Sequence, residues 1–324
     1  MPTPEQFTNQ AQTKLNEKLF KTEASFPGEF PRLSAGFKEN FRQVCEKIAE
    51  LDDIAYIEYT LLRTSIINKN YTAEVRVYGE DWYFCKNQQA VGEFDVSFLF
   101  KHFDDLWGEL IDMRKQFTGK VSAADVKEFM MDAAPKFYAY VISLCRFSIL
   151  DCVERDYFKA LKKSPKFEIN VGEYMAQTQV VYKENAEKNR GEILEWFADR
   201  LNFAYCFEDF SGLDLSGENL SEIDLRYADL RNCELKDVNF IGSNLTGARF
   251  CGANLENADF SYSNLYEADF SGANLQNAKF NHVMADSGMF GEVEWQRPGY
   301  FGVSFKNADL RGTDFTNANF GGRI

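Results

Sequence analysis

Ala228-Asp-Leu-Arg-Asn232, Ala253-Asn-Leu-Glu-Asn257, Ala268-Asp-Phe-Ser-Gly272, Ala273-Asn-Leu-Gln-Asn277 and Ala308-Asp-Leu-Arg-Gly312 share one five-residue pattern. From Phe210 to Phe280 every fifth position is Leu or Phe. A period of five fits neither the 3.6 of a helix nor the 2.0 of a strand, and it marks a repeat architecture. Two positions before most of the large residues stands a small one, as at Ala228, Ala248, Ala258 and Ala278. The remaining positions hold Asp, Asn, Ser, Thr, Gly, Arg and Glu, which favour water and turns. Each unit therefore sends one large and one small group inward.

The stretch from about Phe207 to Phe320 resembles the pentapeptide-repeat family, whose consensus is A-(D/N)-L-x-x. That resemblance implies a right-handed quadrilateral parallel β-helix with four pentapeptides per coil. Residues twenty apart then form columns: Leu215, Leu235, Leu255 and Leu275; Phe240, Phe260 and Phe280; Phe250, Phe270 and Phe290. Like stacks on like, as strands about 4.8 Å apart require. At ~20 residues per coil the stretch makes between five and six coils, a rod of roughly 25–30 Å.

The whole chain of 324 residues carries a net charge of −14, of which −5 falls on residues 1–200 and −9 on residues 201–324. This balance argues against direct nucleic-acid or anionic-membrane binding and for basic partners. Seven scattered cysteines without C-x-x-C spacing, and only His102 and His282, speak against zinc and for reduced, packed thiols. Cys233 takes a small inward position of the repeat, and Cys251, just after an inward Phe, is expected to face outward. No basic-then-apolar signal segment opens the chain, so a reducing cytoplasm is the expected compartment.

Before the rod the pattern reads as a mainly helical domain, giving an α+β two-domain chain overall. Residues 1–33 are expected to form a flexible arm or a short helix near Glu5–Leu19. Residues 34–190 form a mainly helical domain with a small β-hairpin, and 191–206 a capping helix before the rod at 207–324. Phe37, Phe41, Val44, Cys45, Ile48 and Leu51 share a helical face. Ile54–Ile67 is apolar and is read as helix. Thr72–Tyr78 alternates like a strand, with Trp82–Cys85 as its return. Val96–Phe117 and Ser122–Leu161 are read as helices, the second opened by Ser122 and Asp125 and kinked or restarted at Pro135. Phe167–Tyr182 is ambiguous.

A β-helix exposes apolar side chains and unpaired backbone at its ends. Trp196 and Phe197 are expected to cover the N-terminal end. No cap follows Phe320, so Phe315 and Phe320 are expected to make a homodimer contact through the last coil, similar to that in topoisomerase-binding members of the family. Between Asn281 and Val303 the repeat is irregular, with Trp295, Arg297 and Tyr300 on its least regular surface. The five-residue spacing survives from Phe280 to Phe305, with Phe290, Trp295 and Tyr300 on large positions. It favours degraded repeats over an inserted loop.

No phosphate loop, nucleophile elbow, H-E-x-x-H or Cys–His pair is present, so a non-catalytic protein without cofactor or metal is expected. His102 reads as a surface or packing residue and Trp82 and Tyr83 as core aromatics. If the four-column register holds throughout, one face of the rod carries Asp209, Asp229, Asp269 and Asp309. The next face then carries Asp214, Glu234, Glu294 and Asp314. Two acidic sides on a straight rod resemble the phosphate surface of DNA. The family resemblance implies a DNA mimic that binds DNA gyrase or topoisomerase IV, with drug or toxin protection. The alternative is a scaffold or adaptor whose rod dimerises or spaces copies while the helical domain binds the partner. Asp and Asn also suit turns as such, which explains most of these acids without a partner.

Overall fold

A computed structural model of the chain describes residues 3–82, 89–173, 178–286 and 302–320. The chain divides into two units, residues 1–182 and 183–324. Helix α1 runs unbroken from Pro4 to Ile48, where the pattern predicts a short helix, an extended arm and a second helix. Thr3 caps it reciprocally with Gln6. Its buried positions, among them Phe7, Ala11, Leu15, Thr22, Phe26, Leu33, Phe37 and Phe41, recur at helical spacing along its full length. Pro27 and Pro31 lie on the exposed side, each removing an amide donor at about 3 kcal/mol. Over the same span Phe26 packs on Tyr140 at 5.6 Å and Phe30 on Phe147 at 6.4 Å. Burying each large ring returns about 1.5–3 kcal/mol, so packing holds the helix together through the prolines.

The sheet of this unit is mixed, in the order β3-β2-β1-β4-β5. Strand β1 is Ile54–Leu61, followed by the short helix α2, Arg63–Ile67. Ile57, Tyr59 and Leu61 face one way and Glu58 and Thr60 the other, and all five are 0 % exposed. A strand buried on both faces loses the alternation that identifies it, which is why Ile54–Ile67 reads as helix in the sequence. β1 pairs antiparallel with β2, Thr72–Tyr78, and parallel with β4, Lys163–Glu173. The hairpin partner of β2 is β3, Gln89–Asp95, not Trp82–Cys85. Trp82 instead stacks on Tyr56 at 4.9 Å and donates its indole N–H to the buried carboxylate of Glu58 at 2.9 Å. Tyr83–Cys85 lie outside the described residues. The ambiguous stretch resolves into β4 and β5, Thr178–Asn185.

Helix α3 spans Lys101–Arg114, flanked by 3-10 turns at Ser97–Leu99 and Lys115–Phe117. Helix α4 spans Ala123–Cys152 and passes through Pro135 without a break. Its capping box is complete: the Asp125 amide donates to Ser122 Oγ at 3.1 Å, and the Ser122 amide to Asp125 Oδ2 at 2.6 Å. A short helix α5, Asp156–Lys159, precedes β4. Phe37 meets Tyr59 and Phe94, and Phe41 meets Phe158, so α1 lines the same core as the sheet. Among the described residues no helix is long and apolar enough to cross a membrane.

The second unit opens with helix α6, Arg190–Ala198, capped by Asn189, and continues as a parallel β-helix. Its bridges join residues twenty apart, four to a coil: Asp209 to Asp229, Asp214 to Glu234, Asn219 to Asn239, Asp224 to Asn244, and onward. Every large position from Phe210 to Phe280 is buried in one core with Ala228, Ala248, Ala258, Ala268 and Ala278. In most units the small residue's amide bonds back to the preceding large residue's carbonyl, as Ala228 to Leu225 at 3.1 Å. The residue just before the small one holds a positive φ, from Phe207 through Asn317. Asn and Gly serve there because that conformation costs them least.

Candidate functional site

The position just before each large residue is polar because of the turn it starts. The amide two residues on donates to its side chain: Ser211 to Asp209 at 2.9 Å, Ser216 to Asp214 at 3.0 Å, Ser271 to Asp269 at 2.9 Å and Thr316 to Asp314 at 3.0 Å. Asn219, Asn239, Asn244 and Asn274 accept the same bond. Asp and Asn are interchangeable in this role, as in Asx turns generally.

Several of these acids also meet a cation within the unit. Asp209 is 7 % exposed and receives Lys188 Nζ and the Asn185 amide, each at 2.9 Å. Burial pushes its carboxyl up, but Ser211, the Asn185 amide and Lys188 outweigh it and hold it below the usual range. Asp229, 6 % exposed, accepts Arg231 Nε at 2.9 Å and Arg249 Nη1 at 3.3 Å. Asp224 takes Arg226 Nε at 2.8 Å and Nη2 at 2.6 Å, and Asp309 takes Arg311 Nε at 2.9 Å and Nη2 at 2.6 Å. The bond from Arg311 lowers the Asp309 carboxyl. These three pairs come from one motif, Asp-Leu-Arg, at 224–226, 229–231 and 309–311. The D-x-R spacing was legible in the sequence, and counting only signs of charge passes over it.

The acidic faces change as well. Asp269 bridges to Ser304, Asn274 to Asp309, Lys279 to Asp314 and Met284 to Asn319. Each step is thirty-five positions rather than twenty, so the repeat register breaks between Ala285 and Val303 by fifteen residues. The break corrects the reading of 281–303 as degraded repeats. Asp309 joins the column of Asp214 and Glu234, not that of Asp209, and Asp314 stands above Lys279 in a third column. Phe270 stacks on Phe305 at 5.3 Å and Phe280 on Phe315 at 5.3 Å, the places the sequence columns assign to Phe290 and beyond. Phe290, Glu294, Trp295, Arg297 and Tyr300 lie outside the described residues. Carboxylates of the expected set without a described cation pair are thus Asp214, Glu234, Asp269 and Asp314, spread over three columns.

At the start of the rod Trp196 meets Tyr205 at 4.9 Å and Phe210 at 6.3 Å, and Phe197 meets them at 5.2 and 5.0 Å. Tyr205 donates its hydroxyl to the Trp196 carbonyl at 2.7 Å, tying α6 to the first coil. In the last coil Phe305, Leu310 and Phe315 are half-buried, whereas Phe270, Leu275 and Phe280 one coil earlier are fully buried. Phe320 is buried, against Phe305 at 5.7 Å and Phe315 at 5.6 Å. Among the described residues no acceptor meets the amides of Phe305, Leu310 and Phe315, whereas those of Phe270, Leu275 and Phe280 each bond to the next coil.

Cys233 is buried, with its thiol 3.1 Å from the Phe210 carbonyl, and Cys251 sits half-buried 3.1 Å from Asp269 Oδ2. Burial pushes both thiols up to about 12. Among the described residues no group of His, Cys, Asp and Glu is arranged to hold a metal.

Residues 209–242, 219–257, 239–281 and 302–322 match the family model described as pentapeptide repeats, in eight copies. The C-terminal region is therefore a pentapeptide-repeat region, and the matched spans leave out the stretch where the register breaks. No curated protein matches the chain. Among solved structures, a pentapeptide repeat protein from the Arabidopsis thaliana thylakoid lumen is 29 % identical, with 35 % of this chain and 68 % of that one covered, at a TM-score of 0.18. HetL, a pentapeptide repeat protein involved in heterocyst differentiation regulation from Nostoc sp. strain PCC 7120, is 18 % identical, with 40 % and 94 % covered, at 0.19. Full-length QnrB1, a plasmid-mediated fluoroquinolone resistance protein, is 21 % identical, with 33 % and 60 % covered, at 0.19.

Proposed function

We propose that the protein is a non-catalytic interaction scaffold, its right-handed, four-sided rod joining two copies end to end through the last coil. The observation that carries this reading is the half-buried face of Phe305, Leu310 and Phe315, together with amides that lack acceptors among the described residues. A second copy supplies both missing partners at once: apolar surface for the rings and a strand edge for the amides. The first unit then serves as the part that contacts a protein partner in the cytoplasm. The pairing of Asp209, Asp224, Asp229 and Asp309 with Lys188, Arg226, Arg231, Arg249 and Arg311 favours this role over a surface selected for charge. The test is sedimentation equilibrium of the full chain beside Phe315→Arg. A dimer that becomes a monomer without losing its helical and sheet signals supports the reading. A wild-type monomer at tens of micromolar overturns it.

A second reading, a DNA mimic acting on DNA gyrase or topoisomerase IV, draws on a different observation. Residues 201–324 carry a net charge of −9, and Asp214 and Glu234 stack in one column without a described ion pair. Its assay is gyrase supercoiling with the protein titrated in at low and moderate salt, beside a variant neutralised at Asp214, Glu234, Asp269 and Asp314. Salt-sensitive inhibition by the wild type that is lost in the variant favours mimicry. No effect at concentrations well above the enzyme's removes it for gyrase.

A further inference from the structure

In a chain with a net charge of −14, one cavity of the first unit is lined by basic side chains. It measures about 350 Å³ and lies between one face of α1, from Thr22 to Leu33, and the approach to α3, from Phe98 to His102. Phe26, Leu33 and Leu99 are 2 %, 4 % and 5 % exposed and form an apolar floor. Arg32, Lys101 and His102 stand around it, with Glu29 as the one lining acid among the described residues. Arg32 gives Nε and Nη2 to Glu29, at 3.1 and 2.8 Å, and its Nη1 has no partner among the described residues. Lys101 makes no ion pair among the described residues, and His102 Nδ1 is shielded from solvent without a hydrogen bond, 3.6 Å from Asp105.

The placement of Lys101 does not favour its helix. Lys101 and His102 are the first two residues of a 14-residue helix, and Phe100 before them offers no side-chain cap; the acid of that first turn, Asp104, is paired with Lys69 at 3.0 Å. Positive side chains at a helix N-terminus oppose its dipole, where acids are the stabilising choice. An anion seated in the cavity would face Lys101, His102, Arg32 Nη1 and the positive end of α3 together. The volume falls in the range of small-ligand sites, and an apolar floor with a few converging polar groups is how such sites are built.

We propose that this cavity binds a small amphiphilic anion, a phosphate or carboxylate head on a short apolar body, with the head on Arg32, Lys101 and His102 and the body over Phe26, Leu33 and Leu99. The test is calorimetric titration of the full chain with phenyl phosphate, inorganic phosphate and phenol. The expected result is saturable binding of phenyl phosphate, at least tenfold tighter than either fragment. Arg32→Ala and Lys101→Glu should each weaken it about tenfold or more, the loss of one charge-assisted bond. Lys101→Glu also separates binding from folding. By placing an acid at the start of α3 it should keep or raise the melting temperature while it weakens the ligand. Absence of saturable phenyl phosphate binding overturns the proposal, as does equal affinity in both variants. Equal binding of inorganic phosphate overturns the amphiphile assignment.

Discussion

The amide of Phe270 donates to the carbonyl of Ser304 at 2.8 Å, and the Ser304 amide to the Ala268 carbonyl at 2.9 Å. This pair of bonds closes the rod over the register break as tightly as any ordinary coil closes. Phe250 to Asp269, at 2.7 Å, is its counterpart one coil below. The coils on either side therefore do not need the fifteen surplus residues. Deleting residues 287–301 places Ser304 twenty positions after Asp269, the spacing of the bridges before the break. The deleted chain should fold with its circular dichroism unchanged and its stability within about 1 kcal/mol, since loop length enters only logarithmically. Fast amide exchange through 303–320 in the deleted chain would contradict this register.

Gly247 has φ +67°, and a Cβ built on it would lie 2.2 Å from the ring of Tyr227, which covers it. Gly247→Ala should destabilise the rod by about 2–3 kcal/mol, through strain at positive φ and the clash together. Combining it with Tyr227→Ala should recover part of that, leaving roughly the 1 kcal/mol of backbone strain. A double-mutant cycle in urea reads the coupling, and strict additivity would contradict the contact.

Glu109 receives Lys14 Nζ at 2.8 Å and Lys18 Nζ at 2.5 Å, joining α1 to α3. These bonds lower its carboxyl to about 2. A folded-state value below the unfolded one means the stabilisation is present at neutral pH and is lost as pH falls toward 2. Because Glu109 is partly exposed, Glu109→Gln should destabilise by only about 1 kcal/mol at pH 7. The difference from wild type should shrink steadily below the normal carboxylate range. A difference that persists undiminished near pH 2 would point to lost packing instead.

Arg231→Met removes the bidentate partner of Asp229, a carboxylate 6 % exposed, and leaves only Arg249 at 3.3 Å. Breaking a buried pair on one side costs about 3 kcal/mol. Asp229→Asn added to that variant should restore much of the loss, because Asn239 and Asn244 hold the same turn elsewhere in the rod. Urea melts of the single and double variants check it. A single variant within about 0.5 kcal/mol of wild type would contradict the pairing.

Much of the rod is legible in the sequence because one large and one small inward residue per five leave a mark that no helix or strand makes. The register break is not, for an arithmetical reason. Fifteen is a multiple of five, so the five-residue spacing of the sequence runs on from Phe280 to Phe305 while the coil phase slips by three sides. In the first unit, Thr72–Tyr78 and the Ser122–Asp125 cap are readable from local chemistry. Strand β1 is not, because Glu58 and Thr60 are as buried as Ile57 and Tyr59. The continuity of α1 depends on contacts such as Phe26 with Tyr140, which lie far apart in sequence. Of the candidate surface, the positions of the acids are readable, but their partners are a matter of which column each residue joins.

The closure of Phe270 onto Ser304 also bears on how such a gene can change. Where each coil bonds only to its neighbours, a segment can be gained between two corners without rewriting anything before or after it. Selection then acts on that segment alone, free of the constraint that holds every other fifth residue to Leu or Phe. A new recognition feature can arise in this protein by insertion, with the rod as an unaltered handle.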